Sequence, residues 1–194
     1  MHEFTMYSTS TKFALEKSRI LVVDDNPTSL EMISQIMVGF RVLKLKPCRS
    51  AEEARSLVTA ERFDLILIDF QMPDEDGPSL VRYIRSEPKQ PNYTAPILML
   101  NSTTSLNTIS RARDAGANMV VKKPIAPAIL LERIKWIARN NRDFVSVGTY
   151  CGPDRRFRNV PRNPGAEERR ADALALIADP TRAMSQDDIS ALFG

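Results

Sequence analysis

Four short stretches hold the residues able to do chemistry, and each follows an apolar run. Asp24 and Asp25 follow Ile20-Leu21-Val22-Val23, Asp69 follows Leu65-Ile66-Leu67-Ile68, Asn101 and Ser102 follow Ile97-Leu98-Met99-Leu100, and Lys123-Pro124 follows Met119-Val120-Val121-Lys122. Asp69 alone, ahead of the Pro- and Gly-punctuated stretch Met72 to Gly77, would read as a turn residue. Together the four change that reading, because the carboxyl ends of strands in an open α/β sheet converge on the crevice where ligands sit. Three carboxylates, a hydroxyl or amide, and a lysine in one crevice point to chemistry at phosphate rather than to redox or acyl transfer. Carboxylates suit Mg²⁺, which takes a few of them along with water and phosphate oxygens. Two adjacent aspartates at a strand end repel each other, and a bound cation relieves them. Lys123 supplies a point charge for carboxylate or phosphoryl oxygen.

The elements that must position these residues are legible in turn. Unbroken apolar runs of four or five residues suit strands buried on both faces of a parallel sheet. Asn26 before Pro27 is a good helix cap followed by Pro at the first position, with the helix continuing through Met37. Arg41 to Leu45 alternates and predicts a half-exposed edge strand. Ser50 with Glu53 three residues on is a capping-box pattern for a second helix that turns Ala54, Leu57 and Val58 inward. Further helices are predicted from Pro78 to Arg85, from Leu106 to Asp114 with Gly116 as the stop, and from Pro127 to Arg139. A βα unit repeated five times predicts an α/β fold, a doubly wound five-stranded parallel sheet with helices on both faces.

Composition sets the limits. At 194 residues, 43% hydrophobic and 26% charged, the chain suffices for one well-buried domain plus appendages. Cys48 and Cys151 form no CxxC pair, so neither a disulfide framework nor a zinc site is indicated, and a reducing cytoplasm is the expected location. No apolar run is long enough to cross a bilayer, and the N-terminal segment lacks the features of a signal peptide. His2 is the only histidine, which removes Ser-His-Asp, Cys-His and most metallohydrolase chemistry. The net charge of +3 is modest, and without a recognisable DNA-reading motif DNA is not an expected partner.

Residues 19 to 141 resemble a receiver domain of a bacterial two-component response regulator, similar to the chemotaxis receiver, through LVVDDNP, LILIDFQMPDEDG, PILML and KKP. The resemblance implies a flavodoxin-like receiver fold in which Asp69 is the phosphoacceptor, charged by a histidine kinase or phosphotransfer protein. It implies that Asp24, Asp25 and Asp69, with the backbone carbonyl of Gln71, hold Mg²⁺, that Lys123 contacts the phosphoryl group, and that the chain is a signalling protein rather than an enzyme. The face made by the fourth helix, fifth strand and fifth helix is then the expected surface for a downstream protein. Two positions depart from the pattern. Asn101, followed by Ser102, stands where receivers carry a switching Thr or Ser, and Val120 stands where many carry an aromatic residue.

Outside that domain the expectations are a flexible segment over 1–18, a Pro/Gly/Arg-rich linker over 142–165 and a helical tail over 166–194. Arg155, Arg156, Arg158 and Arg162 sit beside Phe157. They fit a solvated linker, or an anion site in which guanidinium forks grip phosphate and stack on purines. Such segments resemble those of some receiver-like proteins that bind cyclic dinucleotides, so a binding module working without phosphorylation is the second functional class. From Arg142 onward eight Arg face eight Asp plus Glu, so the tail is no polybasic arm. Ala166 to Ala178 is a predicted amphipathic helix. Ser185 then caps a last helix whose Ile189, Leu192 and Phe193 are spaced as groove anchors. That segment resembles the N-terminal peptide of flagellar motor switch proteins. It fits either a partner's groove or the face of its own domain.

Overall fold

The strands form where the apolar runs predict them. In the computed structural model, which describes residues 15–140, 142–148, 150–154, 185–187 and 189, β1 (Arg19–Val23), β2 (Lys44–Cys48), β3 (Leu65–Asp69), β4 (Ile97–Asn101) and β5 (Met119–Lys122) pair in parallel in the order β2-β1-β3-β4-β5. Ile20 to Val23 and every residue of β3 and β4 are buried, as strands covered on both faces must be. The helices α1 (Pro27–Gly39), α2 (Ala51–Ala60), α3 (Gly77–Ser86), α4 (Leu106–Ala115) and α5 (Pro127–Arg139) alternate with them. β2 and β3 lie on opposite sides of β1, so strand order reverses there and opens the crevice at the carboxyl ends of β1 and β3.

Caps set the helix starts. Asn26 Oδ1 accepts from the Thr28 and Ser29 backbone N–H groups at 2.9 and 3.1 Å, and Ser50 Oγ accepts from the Glu53 N–H at 3.1 Å. Glu53 reaches back one residue further than a capping box requires, to the Arg49 N–H at 3.2 Å. Gly116, at φ 99°, adopts the left-handed conformation that ends α4.

Two expectations need correction. The second strand starts at Lys44, not Arg41, because residues 40–42 are used in leaving α1. The Arg41 N–H bonds to the Val38 carbonyl and the Val42 N–H to that of Met37, with Arg41 at φ 64°. Pairing with β1 begins only at Arg19↔Lys44. The stretch read as an irregular linker contains an antiparallel hairpin, β6 (Phe144–Val147) and β7 (Tyr150–Pro153), with Val147 paired to Tyr150. It packs on α3 and α4. The segments 1–14, 155–184 and 190–194 lie outside the described residues, and with them Arg155, Arg156, Arg158, Arg162, the predicted helix over 166–178 and the expected groove anchors Leu192 and Phe193.

The hairpin is anchored through Arg85, 2% exposed on α3. Its guanidinium donates to the carbonyls of Gly116, Asn92, Tyr93 and Ala95 at 2.6–3.2 Å and lies 5.1 Å from the centre of the Phe144 ring. Burial lowers its pKa to about 10. Tyr93 Oη and Cys151 Sγ are 2.6 Å apart. A Cβ on Gly116 would sit 2.3 Å from the Cys151 carbonyl oxygen, so only glycine permits this approach. Arg85→Met is expected to cost about 3 kcal/mol in urea unfolding, since it strands several buried carbonyls. It should also speed hydrogen exchange in β6 and β7, and unchanged exchange there would show that the hairpin holds without Arg85.

Candidate functional site

Register alone brings the key side chains together. Val23 pairs with Ile68, so Asp24 and Asp69 stand side by side one residue further on, while Asp69 pairs with Leu100 and Asn101 with Lys122. The resulting cavity, about 350 Å³, is lined by Asp24, Asp25, Asn26, Ser29, Asp69, Gln71, Asn101, Ser102 and Lys123. Every residue expected at the domain's site is among them.

Lys123 Nζ is the hub. It donates to Asp24 Oδ2 at 2.7 Å and also to Asp69 Oδ1. Asp24, fully buried, further accepts from the Asn26 N–H at 3.1 Å and from Ser29 Oγ at 2.5 Å. Asp69 Oδ2 accepts from the Gln71 N–H at 2.9 Å. Carboxylate oxygens of Asp24, Asp25 and Asp69 lie within 4.8 Å of one another. Three acids against one lysine leave an excess of negative charge in a polar cavity of hard oxygen donors, which fits Mg²⁺.

The charge states follow. Burial lifts the Asp69 carboxyl above its ordinary value and the Asp24 charge adds to this, against the opposing pull of Lys123 and the Gln71 N–H. Burial works against the Lys123 ammonium too, but its hydrogen bonds and charge contacts with Asp24 and Asp69 outweigh it and hold its pKa up. A carboxyl with a raised folded-state pKa favours folding while protonated, and that contribution is lost as pH rises through its folded value. In chelator, the stability of wild type relative to Asp69→Asn should therefore fall as pH rises from about 4. Urea unfolding across a pH series measures that difference, and a flat difference would count against the raised carboxyl.

Asn101 is 2% exposed. Its amide nitrogen donates to the Thr103 carbonyl, and its oxygen accepts from the Thr103 N–H at 3.4 Å, so the side chain is tied into its own loop. Ser102 is exposed at the cavity. Sequence reasoning missed Ser29, whose position in the first turn of a helix starting at the β1 end was the available signal. It also left Asn26 as a cap alone, although it lines the cavity.

Comparison with known proteins agrees with this geometry. The response regulator receiver domain family matches residues 20–135, and the chain belongs to that family. It is 34% identical over 125 residues to the response regulator protein PilR of Pseudomonas aeruginosa, covering 64% of this chain and 27% of PilR. It is 30% identical over 136 residues to the DNA-binding response regulator MtrA of Mycolicibacterium smegmatis, covering 68% of this chain and 57% of MtrA. The chain thus matches about a quarter to a half of these relatives' length. Among solved structures it resembles chemotaxis protein CheY4 of Vibrio cholerae, with 27% identity, TM-score 0.57 and coverage of 62% and 98%. A putative response regulator from Chloroflexus aurantiacus gives 30%, 0.59, and 63% and 98%. Residues 20–135 are a receiver domain of two-component signalling, a class that works with histidine kinases or phosphotransfer proteins. No helix among the described residues is long and apolar enough to cross a membrane.

Proposed function

We propose that the protein is a phosphorylatable switch whose Asp69 takes a phosphoryl group from a histidine kinase or phosphotransfer protein and signals through protein contacts. The observation that carries this is the Lys123 ammonium shared between Asp24 and Asp69 in a cavity of converging carboxylates. An Asp69 oxygen attacks the phosphorus of a phosphohistidine, the P–N bond breaks with its electron pair left on the imidazole, and an acyl phosphate forms. Asp24, Asp25 and Asp69, with the Gln71 carbonyl, would hold Mg²⁺, which when bound would supply the positive charge that a carboxylate needs when it meets a phosphoryl donor. Lys123 keeps its charge beside Asp69 and transfers its contact to a phosphoryl oxygen, while Ser102, exposed at the cavity, is placed to donate to another. The role is that of a phosphoacceptor with at most slow autodephosphorylation, in the cytoplasm, where the thiols of Cys48 and Cys151 stay reduced. The output is contact through the α4–β5–α5 face rather than DNA binding or catalysis.

A second reading draws support from Asn101, whose tie to Thr103 opposes the swing expected of a switching side chain. In it the chain is a binding module that takes an anionic ligand such as a cyclic dinucleotide on Arg155, Arg156, Arg158 and Arg162. Intact mass after incubation with a small-molecule phosphodonor and Mg²⁺ decides between the two. A single phosphoryl adduct on wild type and none on Asp69→Asn is the expected result. No adduct on either, with rapid quenching, would favour the module.

A further inference from the structure

β5 is the last strand of the sheet, and its outer edge is not left open. The N–H group of Lys123 turns inward to the carbonyl of Asn101 on the β4 side. By strand alternation the polar groups of Val120 and Lys122 point outward, the kind of unpaired edge that proteins cover or disrupt. Here one side chain from 64 residues further along the sequence covers it. Gln186 Oε1 accepts from the Lys122 N–H at 2.9 Å, and Gln186 Nε2 donates to the Val120 carbonyl at 3.1 Å. Three residues on, Ile189 has no exposed surface and belongs to the apolar core.

The chemistry of the match is specific. A carboxamide carries one acceptor and a two-proton donor on adjacent atoms, so it imitates the peptide group that a neighbouring strand would present. Glu in its place could accept from Lys122 but would leave the Val120 carbonyl without a donor. The i, i+3 spacing puts Gln186 and Ile189 on one side of a helical turn, so a single turn delivers the edge mimic and the apolar anchor together. Ser185 and Asp187, on the same segment, are exposed. α4 and α5 both pack on β5, so this edge lies on the face assigned above to a downstream protein.

We propose that the β5 edge is a receptor for a short helix presenting a glutamine and, three residues later, an aliphatic side chain, and that the chain keeps it filled with its own residues 185–189. A partner protein gains the face only by displacing this tail, which competes from a tether and therefore at a fixed local concentration. The proposal concerns occupancy of the edge and stands whether or not Asp69 is phosphorylated.

The test uses the full chain as wild type, Gln186→Ala and Ile189→Asp, with two readouts. Hydrogen exchange at the Lys122 amide should quicken about tenfold or more in both variants, while the Ile66 and Leu67 amides of β3 keep their protection and so report an intact sheet. A fluorescent peptide of the sequence of residues 184–194 should bind both variants at least about tenfold more tightly than wild type, by anisotropy. Unchanged Lys122 exchange in the variants, or equal peptide affinity for all three proteins, would show that the tail does not hold the edge. Faster Lys122 exchange with no peptide binding to any of them would overturn the receptor and leave residues 185–189 a fixed part of the fold.

Discussion

Gly77→Ala is expected to lower the unfolding free energy by about 3 kcal/mol or more and to slow phosphoryl uptake at Asp69 along with it. A Cβ at Gly77 would stand 2.2 Å from the Asp69 carbonyl oxygen and 2.8 Å from Met99 Cε. The methionine tip can move aside, but the Asp69 carbonyl belongs to β3, which is paired on both sides and buried throughout. Overpacking alone costs about 1–3 kcal/mol, and here relief requires shifting the peptide that sets the direction of the Asp69 carboxylate. Gly39→Ala is the control. Nothing lies within 4 Å of its added Cβ, and Ala in place of Gly at that helix end should be neutral or stabilising by up to about 1 kcal/mol. Urea unfolding of both variants, with the rate of phosphoryl adduct formation, makes the comparison. A Gly77→Ala protein as stable and as reactive as wild type would mean that β3 yields far more readily than its burial implies.

Lys123→Met carries the second large effect. It leaves Asp24 and Asp69 facing each other without the ammonium that both contact, and breaking a buried pair by deleting one partner typically costs about 3–5 kcal/mol. Asp69 can limit the loss by taking up a proton, a direction its raised pKa already favours, so about 2–3 kcal/mol at pH 7 is expected in chelator. Millimolar Mg²⁺ should return much of this, because a cation bound only by the folded state stabilises it by mass action. Mg²⁺ should bind the variant at least as tightly as wild type, since one positive charge has left the cavity. Adduct formation should nonetheless fall about 100-fold, the usual result of removing a preorganised charge partner from a transition state. A variant whose stability is the same with and without Mg²⁺ would remove the basis for assigning the three carboxylates to a metal.

The parts of the fold that sequence reveals are those whose local signals agree. β1, β3, β4 and β5 are apolar runs ending in polar residues, and Asn26-Pro27, Ser50 and Gly116 act as caps and stops with known geometry, so the parallel order and the converging strand ends follow. The second strand is misplaced because an edge strand does not need an apolar run. Lys44, Lys46 and Pro47 of β2 are exposed, and the buried Val42 belongs to the exit from α1. The hairpin is missed for another reason. Phe144 to Val147 and Tyr150 to Pro153 flank a glycine at φ 58°, a recognisable turn signal, yet prolines and arginines on its far side dominate the local composition. At the site, the identities of Asp24, Asp69 and Lys123 are legible. The tie between Asn101 and Thr103 is not, because it depends on how a loop closes after the strand ends. Gln186 lies beyond sequence reasoning altogether, since nothing in a lone glutamine tells which strand edge it will complete.

The hairpin also decides how the tail can reach its place. Glycine contact between residues 116 and 152 holds β7 beside the turn that leads into β5, at the opposite end of the sheet from Asp69. The chain leaves β7 there, with Asp154 N–H bonded to the Asp143 carbonyl, and returns at Ser185 to run against β5. The thirty residues between, 155–184, have a contour of roughly 100 Å when extended, while the four residues of β5 cover only about 13 Å. A connection of that length does not by itself fix where the tail sits. Its seat therefore depends on the contacts of Gln186 and Ile189, and a tail of that length could also reach the β5 edge of a neighbouring molecule once protein concentration rivals the local concentration the tether sets.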